Sequence, residues 1–130
     1  MATHGIDHIN LSASGQRYAA LRQFYCDVLG LAAGARPPLR SAGLWLYAGG
    51  APIVHLVELS AQEDAAAQDT AASGLDHVAL RCDDLDRTLQ RLRSLGVPHV
   101  VNEANAAGQV LVRLRDPADL TLELVFEQGE

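Results

Sequence analysis

Four side chains in this sequence have the types and spacing to hold a metal ion. Residues 5–11 read GIDHINL and residues 74–80 read GLDHVAL, an offset of 69 (74 minus 5), and each stretch places a histidine fourth, His8 and His77. Later in each half a polar residue interrupts an aliphatic run: His55 in IVHLVEL and Glu123 in TLELVF. Aligning VHLV with LELV sets His55 opposite Glu123. Three imidazoles and one carboxylate suit a borderline divalent ion such as Fe, Mn, Co, Ni or Zn. Four protein donors on an ion that accepts five or six leave room for water or substrate, which is a catalytic arrangement rather than a closed structural one.

The elements that must position these residues repeat as well. Residues 6–11 and 75–80 read as strands, and alternate strand side chains face opposite ways. Ile9, Leu11, Val78 and Leu80 then share the face on which a helix packs, while His8, Asn10, His77 and Arg81 point from the other. The same rule turns His55 away from Val54 and Leu56, and Glu123 away from Leu122, Leu124 and Phe126. Glu58 is a rival to His55 as ligand, but it falls on the Val54/Leu56 face and needs a bulge to reach the ion. Helical stripes follow each first strand: Tyr18, Leu21, Tyr25 and Val28 within residues 16–29, and Leu85, Leu89, Leu92 and Leu95 within residues 85–95. Ser14 and Asp84 stand as N-caps, and Gly30 and Gly96 stand where a left-handed C-terminal cap belongs.

Short aliphatic runs separated by turn residues complete each half: 31–35, 43–47 and 53–59, then 97–101, 109–114 and 120–126. Each half reads strand, helix, then three strands. The expected fold is α+β, two βαβββ modules in tandem forming a curled mixed sheet. Module 1 covers about residues 4–60, an Ala-rich linker residues 61–73 and module 2 residues 74–127, all within one domain, because a module of this size buries little core by itself.

Composition closes off other chemistries. The chain has 130 residues, 48% hydrophobic, with a formal net charge of −6. Such a chain offers no electrostatic footprint for nucleic acid or an anionic membrane surface. All ten cationic side chains are arginine, so Schiff-base chemistry and a Walker-type phosphate loop are excluded. GxSxG and GxGxxG are absent. No apolar run reaches transmembrane length. Cys26 and Cys82 form no CxxC pair and read as reduced thiols of a cytoplasmic protein; a nucleophilic role for either is disfavoured. Trp45 and Tyr47 in LWLYAGG are candidates for a pocket wall. Arg81 and Arg113 could grip an anionic substrate, with solvated surface pairing as the ordinary alternative.

The stretches DHI and DHV, FYCDVLGL, LWLYAGG, VHLVE and RDPADLTLEL, in this order over nearly the whole chain, resemble the vicinal oxygen chelate superfamily, which includes glyoxalase I, extradiol dioxygenases and bleomycin-binding proteins. The resemblance implies paired βαβββ modules around one divalent ion, with ligands on the first and last strands of each module. These carry over onto His8, His55, His77 and Glu123. It implies a homodimer and a small substrate that chelates the ion through two neighbouring oxygens. It also implies glyoxalase-like isomerase or lyase chemistry. From the residues themselves, Glu123 is the candidate to double as base, and Asn10, Trp45, Tyr47, Arg81 and Arg113 are candidates to meet the substrate. Ring-cleaving dioxygenase activity and metal-free binding of the bleomycin-resistance type are the alternatives. The sequence departs from glyoxalase I at His55, where that enzyme has a carboxylate or amide, and DPADLT replaces the family's Gly-Asn turn.

Overall fold

The computed structural model describes residues 1–68, 74–103 and 108–128. The chain is α+β and divides into two compact units, Met1–Ala72 and Ser73–Glu130, each a βαβββ module. The first contains β1 (Ile9–Ala13), α1 (Gly15–Gln23), β2 (Ala32–Gly34), β3 (Ala42–Ala48), β4 (Ala51–Glu58) and α2 (Ala61–Gln68). Its sheet runs β1-β4-β3-β2, with β1 parallel to β4 and the other pairs antiparallel. The second contains β5 (His77–Cys82), α3 (Leu85–Ser94), β6 (Val100–Asn102), β7 (Gln109–Arg115) and β8 (Thr121–Glu127). Its sheet, β5-β8-β7-β6, repeats the same pattern. Among the described residues no helix is long and apolar enough to cross a membrane.

The predicted periodicities explain most of each core. In the first unit Ala13, Leu21, Tyr25, Leu46, Val54 and Leu56 are buried, because α1 covers β1 and β4. In the second, Val112, Leu114, Leu122, Leu124 and Phe126 alternate inward along β7 and β8, beneath Leu92 of α3. The end of the α3 stripe is not core: Leu95 is 51% exposed. Both helix-terminal glycines are left-handed, Gly30 at φ 76° and Gly96 at φ 67°. The following amides reach back to helix carbonyls, Leu31 N–H to Tyr25 O at 3.0 Å and Val97 N–H to Leu92 O at 2.9 Å, as such caps require.

Three local departures have physical causes. The first helix does not continue regularly over residues 16–29, since Phe24–Val28 forms a π-helical turn. Consecutive Phe24 and Tyr25 are both buried, and the widened turn brings both rings to the core, packed edge-to-face at 5.3 Å. Ser14 takes the N-cap position but does not cap α1; its hydroxyl instead donates to Asp64 Oδ2 at 2.9 Å. Asp64 belongs to α2, which lies in the stretch expected to be linker. The signal for α2 was a capping box, Ser60-x-x-Glu63: the Ser60 amide donates to Glu63 Oε1 at 3.0 Å, and the Glu63 amide to Ser60 Oγ at 3.1 Å. Strand β6 starts at Val100 rather than 97, after Pro98, which has no amide to donate, and His99, whose Nδ1–H donates to Val97 O at 2.7 Å.

Candidate metal and substrate site

The first unit gathers His8, His55 and Trp45 into a ladder of rings. His55 on β4 pairs in register with Trp45 on β3 and Asn10 on β1. Its imidazole lies between the other two rings, stacked on His8 at 3.7 Å and on Trp45 at 4.2 Å. Alternation predicted an uncovered His55; these rings cover it, and it is only 9% exposed. Burial, and next the charge that His8 can carry, hold the His55 imidazole below its ordinary value of 6.5. Its Nε2–H donates to Pro52 O at 3.2 Å, because a carbonyl can only accept. Two rings stacked nearly parallel aim their nitrogen lone pairs in parallel planes, so the ladder itself does not chelate.

His8 is not inside the strand, which begins at Ile9. Alternation therefore does not govern residues 7 and 8, and the Asp7 carboxylate meets its neighbour instead: His8 Nδ1–H donates to Asp7 Oδ2 at 2.7 Å. The second unit repeats the contact. His77 Nδ1–H donates to Asp76 Oδ2 at 2.8 Å, and this bond holds the Asp76 carboxyl below the usual carboxylate range. By alternation Asp7 would share the face of Ile9 and Leu11; the contact with His8 departs from that. The signal was present, since both copies read Asp-His.

On β8 the side chains alternate as predicted, and Glu123 leaves the core face. Its Oε1 stands 3.1 Å from His77 Nε2, and its Oε2 accepts from Arg113 Nη2 at 2.8 Å. Arg113 is the direct cross-strand neighbour of Glu123 on β7. Asp76 already claims the Nδ1 proton of His77, so a neutral ring would face the Glu123 oxygen with a lone pair. A cation between Nε2 and Oε1, a second proton or a metal ion, turns that opposition into attraction.

Other predicted residues separate. Tyr47 is committed to the sheet: its hydroxyl donates to Ala35 O, and its ring fills the space that a side chain at Gly34 would need. Asn10 is exposed and donates to Ser12 Oγ at 3.2 Å. Arg81 is exposed on β5, on the His77 side. Glu58 lines a groove of about 560 Å³ against α1 with Tyr18, Arg22 and Cys26, away from the ring ladder. Among the described residues no group of three or more His, Cys, Asp or Glu side chains stands in metal-ligating geometry; the ligand candidates occur as two pairs, one in each unit.

Burial pushes both thiols above their ordinary 9.0, helped by Asp27 at Cys26 and by Asp83 at Cys82. A raised thiol pKa leaves less thiolate at neutral pH. Both cysteines are expected to react with iodoacetamide at about pH 7.5 several-fold more slowly than a free cysteine peptide, with rates still rising above pH 9.0. Faster-than-peptide alkylation of either one would restore it as a nucleophile candidate.

A family model described as the glyoxalase/bleomycin resistance protein/dioxygenase superfamily matches residues 5–124. Solved structures share the fold. A glyoxalase family protein from Bacillus anthracis aligns with TM-score 0.74 at 19% identity, over 98% of both chains. An antibiotic binding protein from Streptomyces sp. CB03234 aligns with TM-score 0.66 at 21% identity, over 98% of this chain and 99% of that one. Lactoylglutathione lyase from Agrobacterium tumefaciens aligns with TM-score 0.59 at 23% identity, over 91% of each chain. No curated protein matches the sequence.

Proposed function

The chain belongs to the glyoxalase/bleomycin resistance protein/dioxygenase superfamily, and from that premise we propose that it is a divalent-metal enzyme acting on a small molecule with vicinal oxygens, by isomerase or lyase chemistry of the glyoxalase type. His8, His55, His77 and Glu123 are its metal donors, meeting within one chain or across two.

The observation that carries this reading is the His77–Glu123 pair. Two donors bound side by side to one ion at about 2.1 Å stand about 3 Å apart, and Nε2 and Oε1 are 3.1 Å apart. His77 is already set in the tautomer that frees Nε2. To hold an ion, His8 and His55 of the first unit would have to turn out of their stack, and His55 would have to give up its bond to Pro52. When bound, the ion supplies Lewis-acid polarisation of the two substrate oxygens. To act as base, Glu123 would release the ion from Oε1 and take the substrate proton there, while Arg113 holds Oε2 and steadies the carboxylate. Arg113 and Arg81 balance charge on an anionic substrate, Trp45 forms an apolar wall and Asn10 offers an amide at the edge.

A second reading rests on the ring ladder itself. Trp45, His55 and His8 form an aromatic surface suited to stacking a flat molecule, as a metal-free binding protein would use it. Metal analysis of protein purified without chelators separates the two. The enzyme reading expects about one divalent ion per site, a change in emission of the single tryptophan as the ladder opens, and turnover of a hemithioacetal. Oxygen uptake with a panel of catechols would move the assignment to the dioxygenase branch. Substoichiometric metal, together with no turnover under any added divalent ion, would overturn the enzyme reading.

A further inference from the structure

We propose that Asp7 and Asp76 are positioning residues that fix the tautomer of His8 and His77 and so make Nε2 the ligating atom of each ring; this rests on the metal reading above. The same contact occurs twice, Nδ1 to Oδ2 at 2.7 Å and at 2.8 Å, once in each compact unit. In both copies the aspartate lies outside the strand, just before β1 at Asp7 and just before β5 at Asp76, where strand alternation does not hold neighbouring side chains on opposite faces.

The chemistry is directional. An ionised carboxylate only accepts, so Nδ1 must carry the proton and Nε2 keeps its lone pair. Metal-ligating histidines commonly donate their other ring N–H to a carboxylate, which orients the ring and raises its basicity. In the second unit Nε2, the atom left free, is the one that stands beside Glu123. Burial argues against a stability role. The Asp7 and Asp76 side chains are 92% and 83% exposed, and ion pairs so exposed contribute little to stability. The fold should tolerate their loss, so variants report on the histidines.

The test has two arms. Long-range ¹⁵N–¹H NMR of chelator-treated protein reads the His8 ring directly. The wild type should show the proton on Nδ1, and Asp7→Ala should move it to Nε2, the site that neutral imidazole prefers in water. Zinc affinity, measured by competition with a chromophoric chelator, should fall about 10–100-fold in Asp7→Ala and in Asp76→Ala, with Asp→Asn intermediate because its carbonyl oxygen still accepts. A wild-type His8 already protonated on Nε2, or one unmoved by Asp7→Ala, would overturn the tautomer assignment. Unchanged zinc affinity in both alanine variants would overturn the positioning role. A wild type that binds no zinc at all would instead fail the metal reading, and the NMR arm would still decide whether Asp7 sets the ring.

Discussion

A Glu123→Gln variant heated with zinc should gain little over its chelated form, whereas the wild type should gain a great deal. An ion that binds only the folded chain stabilises it by RT ln(1 + [L]/Kd), about 4 kcal/mol at a thousandfold excess over Kd. At about 3 °C per kcal/mol for a chain of this size, the wild type should rise by about 12 °C. Losing a donor costs at least as much as losing its supporting shell, about 100-fold in affinity. The same zinc concentration then stabilises the variant by about 1.4 kcal/mol, or about 4 °C. Glu123→Gln should be more damaging than His77→Gln. It removes the counter-charge of Arg113, whose Nη2 sits 2.8 Å from the carboxylate, and the guanidinium then repels an incoming cation. Glu58→Gln should leave the rise intact, because Glu58 lies in the groove against α1. Scanning calorimetry with and without chelator checks all four proteins. A full rise in Glu123→Gln, or its loss in Glu58→Gln, would reassign the ligand.

Local periodicity made the modules legible in the sequence. Leu122, Leu124 and Phe126 alternate because β8 has one face on the core, and the same rule placed Glu123 off that face. The rule failed where residues fall outside a strand or where a neighbouring side chain intervenes. His8 is one residue short of β1, so Asp7 is free of the strand's alternation and reaches its ring. His55 obeys its strand, yet Trp45 across the register and His8 ahead of β1 cover it, and no period in the sequence encodes that ladder. The π-turn was hidden for a related reason: Phe24 and Tyr25 are adjacent, and helical spacing recognises one of them as core. The capping box at Ser60 is readable, but it opens an Ala-rich stretch without apolar rhythm, which composition marks as linker.

The turn between β7 and β8 was flagged only as a departure from the family's Gly-Asn pattern, and it carries the largest expected loss of stability. Asp116 is 5% exposed. Its Oδ1 accepts from the Ala118 amide at 2.8 Å and the Leu120 amide at 3.0 Å, while its own amide donates to Leu120 O at 3.0 Å. Hydrogen bonds to a charged group are worth about 1.5–3 kcal/mol, so Asp116→Ala should cost about 3 kcal/mol in chelated protein, and Asp116→Asn about half of that. Asp119 takes the left-handed position at φ 69° that glycine would occupy freely, so Asp119→Gly should stabilise by about 0.5–1 kcal/mol; its exposed pair with Arg115 adds little. The consequence reaches the site, because this turn sets the register that puts Arg113 opposite Glu123. A one-residue slip of β8 would send Glu123 to the core face and Leu122 or Leu124 to the other. Asp116→Ala should therefore weaken zinc binding even at temperatures where it is fully folded, while Asp119→Gly should raise the unfolding temperature and leave zinc affinity unchanged. Urea unfolding and zinc titration of the two variants measure both effects. If Asp116→Ala loses less than about 0.5 kcal/mol, the carboxylate does not hold the turn, and the register of β8 is set by the alternation of its core face alone.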